Sequence, residues 1–297
     1  MHPGPDTDQY ATAALLHTSP AEALRHLRHL VDANLITEHQ IGRYRLHDPV
    51  GDQSREPVAD ADDRAAQDRL LHYYAHTAQR ASLAIAHHPR PAPDDPAASP
   101  ADGPIPVPAV ADPDAARSWL RTELPNLDAA FAYTCAHSLD GHVIALAAGM
   151  AEILLEDGPW PRALEVHQAA AEAAERLNRP AAHADALTDL GHVRSLTGNH
   201  RGAADAYGRA LATYRPLGRS LGEATALTSL GRVRSLTGDF VGADSCLTRA
   251  LEIYRALGHR HGEATALTDL GQTRYLIGDL RGAGDALTRA LMLFCDH

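Results

Sequence analysis

Apolar residues in the second half of the chain recur with the spacing of helices, not of strands. Phe240, Ala243, Leu247, Ala250, Leu251 and Tyr254 fall at i, i+3, i+7, i+10, i+11 and i+14, one stripe of a helix. The segment before it carries Leu227, Leu230 and Gly231 on one face. This two-part pattern returns at an offset of forty: Thr225-Ala226-Leu227-Thr228 reappears as Thr265-Ala266-Leu267-Thr268, and twenty of thirty positions are identical between 222–251 and 262–291. A period in this range without strand-like alternation predicts stacked helical hairpins. Gly198, Gly238 and Gly278 stand where a left-handed residue would end the first helix, and Asp239 and Asp279 stand where they would cap the second. Gly258 and Gly262 bracket the turn into the next unit. Gly191, Gly231 and Gly271, opposite Ala203, Ala243 and Ala283, let two helices approach closely. Gly158, Ala163, Ala170 and Leu177 lie forty before Gly198, Ala203, Ala210 and Leu217, so the array begins near residue 142 and holds about four units.

The first half is patterned differently. Residues 7–37 read as two helices, the second capped by Ser19 with Pro20 at its first position and Glu22 at its third, burying Leu24, Leu27, Leu30, Val31 and Leu35. Residues 41–47 alternate as part of a strand pair turning near Gln40-Ile41-Gly42. A helix over 63–87 buries Leu70, Leu71, Tyr74, Ala78 and Ala81 on one side. The proline-dense stretch 89–113 predicts an extended linker with no core of its own. Helix resumes at Asp112-Pro113 and continues in pairs. The expected organisation is a winged-helix-like segment at 1–50, a connecting helix region at 51–88, the linker at 89–113, a helical lead-in at 114–141 and repeats at 142–297.

Two resemblances follow from these residues. Leu230, Gly231, Gly238, Phe240, Ala243, Leu247 and Ala250, with their counterparts one period away, resemble the tetratricopeptide repeat consensus, here lengthened to forty residues. Arg194, Arg234 and Arg274 replace the aromatic expected three residues after Leu-Gly, and the closing proline is missing. The stretch from Leu27 to Asp48 is similar to the winged-helix part of bacterial NB-ARC (STAND-class) regulators of the antibiotic-regulator type, which join a nucleotide switch to such repeats. The phrases 69–74 and 119–127 extend that similarity weakly. Together they imply an all-α chain, a tetratricopeptide-repeat α-solenoid preceded by a small winged-helix-like segment. The second resemblance also implies that His47, in Leu46-His47-Asp48, senses nucleotide phosphates. The nucleotide-binding domain expected before such a segment is not within these 297 residues, and Pro49-Val50-Gly51 stands where a helix is usual after His-Asp.

Composition removes several functions. All 27 basic residues are arginine, so no phosphate loop ending in Gly-Lys-Ser/Thr and no Schiff-base lysine can form. A net charge of −11 argues against nucleic acid as the main partner. Cys135, Cys246 and Cys295 are too few and too far apart for a disulfide framework or thiolate metal site. Neither a targeting signal nor a run long enough to span a bilayer is visible, so a cytoplasmic chain with no membrane partner is expected. His72 and His76 have the spacing of a metal pair, but without a third ligand they read as solvated side chains, and no metal and no cofactor are expected. No hydrolase elbow, zinc-protease helix or Cys-x-x-Cys is present, and no catalytic residue is assigned.

Binding is better motivated. In tetratricopeptide hairpins the first helix faces the concave side. Its outward positions here are Asp185, Thr188, His192 and Ser195, then Thr225, Thr228, Arg232 and Ser235, then Thr265, Thr268, Gln272 and Tyr275. These hydroxyls and amides can hydrogen-bond an extended peptide, or they can be merely solvated. Arg194, Arg234 and Arg274 are expected to lay their stems on apolar surface and reach aspartates such as Asp205 or Asp285. The last unit shows no polar cap, so the chain reads as a fragment of a longer regulator or as one that self-associates through its C-terminal repeat. The leading expectation is a non-enzymatic protein or peptide interaction module, the sensor half of a bacterial signalling or transcription regulator. A winged-helix DNA-binding regulator and a fragment of an NTP-driven switch are the alternatives.

Overall fold

The computed structural model describes residues 4–46, 61–90 and 107–295, so His47 lies outside the described residues. These residues form twelve helices and one two-stranded sheet. Two compact units result, one from Met1–Ile85 with Asp95–Ile153, the other from Ala86–Asp94 with Leu154–His297.

In the first unit, α1 (Gln9–Leu16) starts where the Asp8 carboxylate accepts from the amides of Tyr10 and Ala11. The Ser19 hydroxyl accepts from Glu22 N at the start of α2 (Pro20–Asp32), as the capping pattern predicts. Strands β1 (Ile36–Gln40) and β2 (Arg43–Leu46) pair antiparallel around Ile41-Gly42, where Gly42 has φ +73° and the Glu38 carboxylate accepts from its amide at 2.7 Å. Leu27, Ile36 and Tyr44 form the small core, with Leu24 and Val31 packed against it. Thr7 extends the hairpin through paired backbone bonds with Tyr44. Helix α3 (Ala61–Ala84) packs on α1 and on α4 (Pro113–Ala136), burying Leu70, Leu71, Tyr73 and Tyr74. Arg69 donates to the carbonyls of Ala14 and Leu15 in the last turn of α1, where carbonyls lack a full set of helical partners. The Asp112 carboxylate caps α4, and Pro125 sits inside it.

A buried ionic cluster joins distant parts of this unit. The Arg43 guanidinium donates to Glu123 of α4 and to Asp6, and the Asn126 amide donates to Glu123 at 2.7 Å and to Asp6 at 3.1 Å. Burial raises the Glu123 carboxyl above its usual range despite Arg43. At Asp6, burial acts in the same upward sense, but hydrogen bonds from Asn126 and Arg43 outweigh it and hold the carboxyl low.

Helix α5 spans Asp140–Asp157 and lies mostly in the first unit. In the second unit, following α6 (Trp160–Arg176), three hairpins succeed one another: α7 (Pro180–Leu196) with α8 (His200–Tyr214), α9 (Ser220–Leu236) with α10 (Phe240–Leu257), and α11 (Arg260–Leu276) with α12 (Leu280–Cys295). Each first helix ends on a left-handed glycine, with φ +77° at Gly198 and +84° at Gly238 and Gly278. Asn199, Asp239 and Asp279 then accept from the amides of Gly202, Gly242 and Gly282. A Cβ at Gly231 would lie 2.7 Å from the Leu247 side chain and 3.3 Å from the Ala243 carbonyl, which is the close approach that the repeat pattern predicts. Gly258, at φ +65°, ends α10, and Gly262 lies in the first turn of α11, where the Tyr254 ring covers it; Gly222 holds Tyr214 in the same way.

The in-phase arginines do not reach Asp205 or Asp285. Arg194 and Arg234 donate to the carbonyls of Gly202 and Gly242, eight residues on, and Arg274 donates to Asp244 of the preceding unit. Arg234 also pairs with Asp239, the cap of its companion helix, at 3.6 Å, so Arg234 and Arg274 do meet aspartates, though not those expected.

Candidate peptide-binding face

The first helices α7, α9 and α11 are joined by side-chain rungs about one period apart. His192 Nε2 and Ser229 Oγ lie 3.0 Å apart, the Arg232 guanidinium donates to Asp269 at 2.9–3.3 Å, and the Thr273 hydroxyl donates to Ser235 at 3.2 Å. Two of these rungs draw on positions 229 and 269, and position 189 in the same phase pairs with Arg90, sites for which the sequence alone assigns no role. They hold Asp189, Ser229 and Asp269, three polar residues directly before the Leu-Gly pairs, and all three are buried. That repeated polar phase inside an apolar stripe was the available signal.

The predicted file of outward residues divides by environment. Thr188, His192, Thr225 and Thr228 are buried; Asp185, Ser195, Arg232, Ser235, Thr265 and Thr268 are half-buried; Gln272 and Tyr275 are exposed. Thr188, Thr228 and Thr268 each donate to the carbonyl four residues back. The Tyr214 hydroxyl donates to Asp185 at 2.7 Å, and the Tyr254 hydroxyl lies 3.2 Å from Thr225, so part of this file serves the packing of the repeats themselves.

The face is covered at its first two helices by the chain's own residues 87–90, which the sequence reading had split between a helix end and a linker. The His88 ring stacks on His192, with centroids 4.6 Å apart and 28° between planes. Pro89 is buried, and its carbonyl accepts from the Thr225 hydroxyl at 2.8 Å. Arg90 forms an ion pair with Asp189. Beneath them His167 of α6 is fully buried, 4.0 Å from Asp189, and neither ring nitrogen has a hydrogen-bond partner among the described residues. Burial, with Arg90 adding to it, pushes its pKa down to about 3, so the ring is neutral. Burial does the same to His192, with His88 and Arg90 contributing. A neutral, aromatic floor flanked by one carboxylate and one hydroxyl suits an extended segment that brings a ring, a proline and a cation in succession.

Residues 143–215 and 221–295 match the tetratricopeptide repeat family model. This part of the chain folds as tetratricopeptide repeats. The Regulatory protein AfsR of Streptomyces griseus is 30% identical over 220 residues, covering 70% of this chain and 21% of that protein, so the chain spans about a fifth of that relative's length. Among solved structures, BtubC (BKLC) from P. vanneervenii shares the fold of the repeats at a TM-score of 0.52 and 21% identity, over 60% of this chain and 74% of that one. A Signal Transduction ATPase with Numerous Domains (STAND) protein with a tetratricopeptide repeat sensor, from Pyrococcus horikoshii, aligns over 98% of this chain and 48% of its own at 14% identity and a TM-score of 0.35. No helix among the described residues is long and apolar enough to cross a membrane.

Away from the tetratricopeptide repeats, the fold does not make the histidine pair suggested by spacing in α3. It turns His72 toward Asp68 and toward His142 of α5.

Proposed function

We propose that this chain is the protein-binding half of a bacterial regulator, and that the α7–α9 face of its tetratricopeptide repeats takes an extended peptide in the place now held by His88-Pro89-Arg90. The observation that carries this reading is the set of three separate contacts on that segment: ring on His192, carbonyl from Thr225, guanidinium on Asp189. Together they read main chain and side chain of an extended ligand. Tetratricopeptide repeats are commonly scaffolds for protein partners, which fits the lack of any catalytic motif. The likeness to a regulatory protein supports the regulator context. The helix, helix, hairpin order of the N-terminal segment fits a winged-helix origin.

Because the segment is tethered, it competes with a free peptide at an effective concentration of roughly millimolar. A labelled peptide corresponding to residues 86–94 is therefore expected to bind the full chain carrying H88G/P89S/R90G at least about tenfold more tightly than the parent chain. Adding Asp189→Asn to that variant should weaken binding roughly 10- to 100-fold, the range for a hydrogen bond to a charged group. Fluorescence anisotropy reads both effects. Absence of saturable binding to the H88G/P89S/R90G chain would remove the peptide-docking reading.

A further inference from the structure

Asp68, His72 and His142 converge on one point of the first unit, where the function proposed above assigns them nothing. Asp68 and His72 lie one turn apart on α3, and His142 stands in the first turn of α5. His72 Nδ1 is 3.3 Å from Asp68 Oδ2, His142 Nε2 is 3.4 Å from Asp68 Oδ1, and the two nitrogens are 3.4 Å apart. The imidazoles are mostly enclosed, with 15% and 16% of their side chains exposed, whereas the carboxylate is 54% exposed. The rings stand edge to face at 82°.

The 3.4 Å between the two imidazole nitrogens, each of which faces its own oxygen of Asp68, suits a tetrahedral ion. Ligands about 2.0–2.1 Å from a tetrahedral zinc ion are about 3.3–3.4 Å from one another, whereas an octahedral ion at about 2.1–2.2 Å would draw adjacent ligands to about 3.0–3.1 Å. Two imidazole nitrogens and a carboxylate also form a donor set that zinc accepts, and the exposed side of Asp68 leaves its fourth position to water. We propose that Asp68, His72 and His142 form a zinc site that clips α3 to the start of α5. In the metal-free chain His72 Nδ1 lies 2.8 Å from the Asp68 carbonyl, which accepts its proton. Zinc replaces that proton, which passes to solvent, so binding weakens as pH falls. The nearby Arg69 guanidinium is directed to the carbonyls of Ala14 and Leu15.

The test titrates zinc chloride into chelator-stripped full-length protein by calorimetry and repeats the titration with cobalt(II), read by visible absorption. One equivalent of zinc is expected, with an intense tetrahedral cobalt spectrum. His142→Ala should weaken that binding by at least about 100-fold, since removing even an outer partner of a ligand costs about 10- to 100-fold. His76→Ala, a control on the same helix, should leave it unchanged. Circular dichroism checks each fold, and Asp68→Asn, on a half-exposed side chain, supplies the same comparison if His142→Ala does not fold. Zinc uptake that is absent in the parent chain, that persists undiminished in H72A/H142A, or that gives a weak octahedral cobalt spectrum overturns the site.

Discussion

Replacing Arg43 with alanine is expected to lower the unfolding free energy of the first unit by about 3–5 kcal/mol, the range seen when one member of a buried ion pair is removed. Its side chain is 9% exposed and faces Glu123 at 2% and Asp6 at 13%, so the substitution leaves two enclosed carboxylates bridged by the neutral Asn126 amide, with His39 at the outer oxygen of Asp6. The cost is the stranded charge more than the lost attraction. A paired change, Arg43→Met with Glu123→Leu, should therefore cost less than Arg43→Ala alone, although it alters more atoms. Urea unfolding monitored by circular dichroism separates the cases. A loss below about 1 kcal/mol for Arg43→Ala, the value of a solvent-exposed bridge, would show that water reaches the cluster.

The repeats offer a second comparison in which one substitution is made twice. Leu247 and Leu287 occupy the same phase, and each would be struck by a Cβ at its partner glycine, Gly231 or Gly271. Leu247 is fully buried between α9 and its neighbours, whereas Leu287 is 40% exposed. Leu247→Ala is expected to cost about 2–5 kcal/mol, since it removes buried methylenes and leaves a cavity. Leu287→Ala should cost less than half as much, because water already wets part of that side chain and can fill the space. Denaturant melts of the two single variants measure the difference. Equal losses would mean that the two units share one environment and that position along the stack does not matter.

What could be read from the sequence was what each repeat settles within itself. The helix ends depend on a glycine and an acidic or amide cap a few residues away, so Gly238, Asp239 and Gly278, Asp279 disclosed the hairpins directly. The close approach at Gly231 was legible for the same reason. Contacts spanning the chain were not. Thr225 and Pro89 are 136 residues apart, and a proline-rich segment shows by composition only that it has no core of its own. Asp6 and Asn126, 120 apart, and His72 and His142, 70 apart, meet only after the intervening helices are placed. The arginines at 194, 234 and 274 are expected to find aspartates because charge is visible in a sequence, and Arg234 and Arg274 do meet Asp239 and Asp244; which aspartate, and the contacts to the Gly202 and Gly242 carbonyls, depend on the placed backbone.

The rungs between successive first helices carry a further consequence. One joins a neutral imidazole to a hydroxyl, His192 to Ser229, and another joins a guanidinium to a carboxylate, Arg232 to Asp269, with the arginine 37% open to solvent. Mobile ions act on the second and leave the first almost untouched. The seam between α9 and α11 thus responds to the surrounding electrolyte at its tightest rung, 2.9 Å long, whereas the seam between α7 and α9 does so through the looser Arg219–Asp185 pair, 4.0 Å apart.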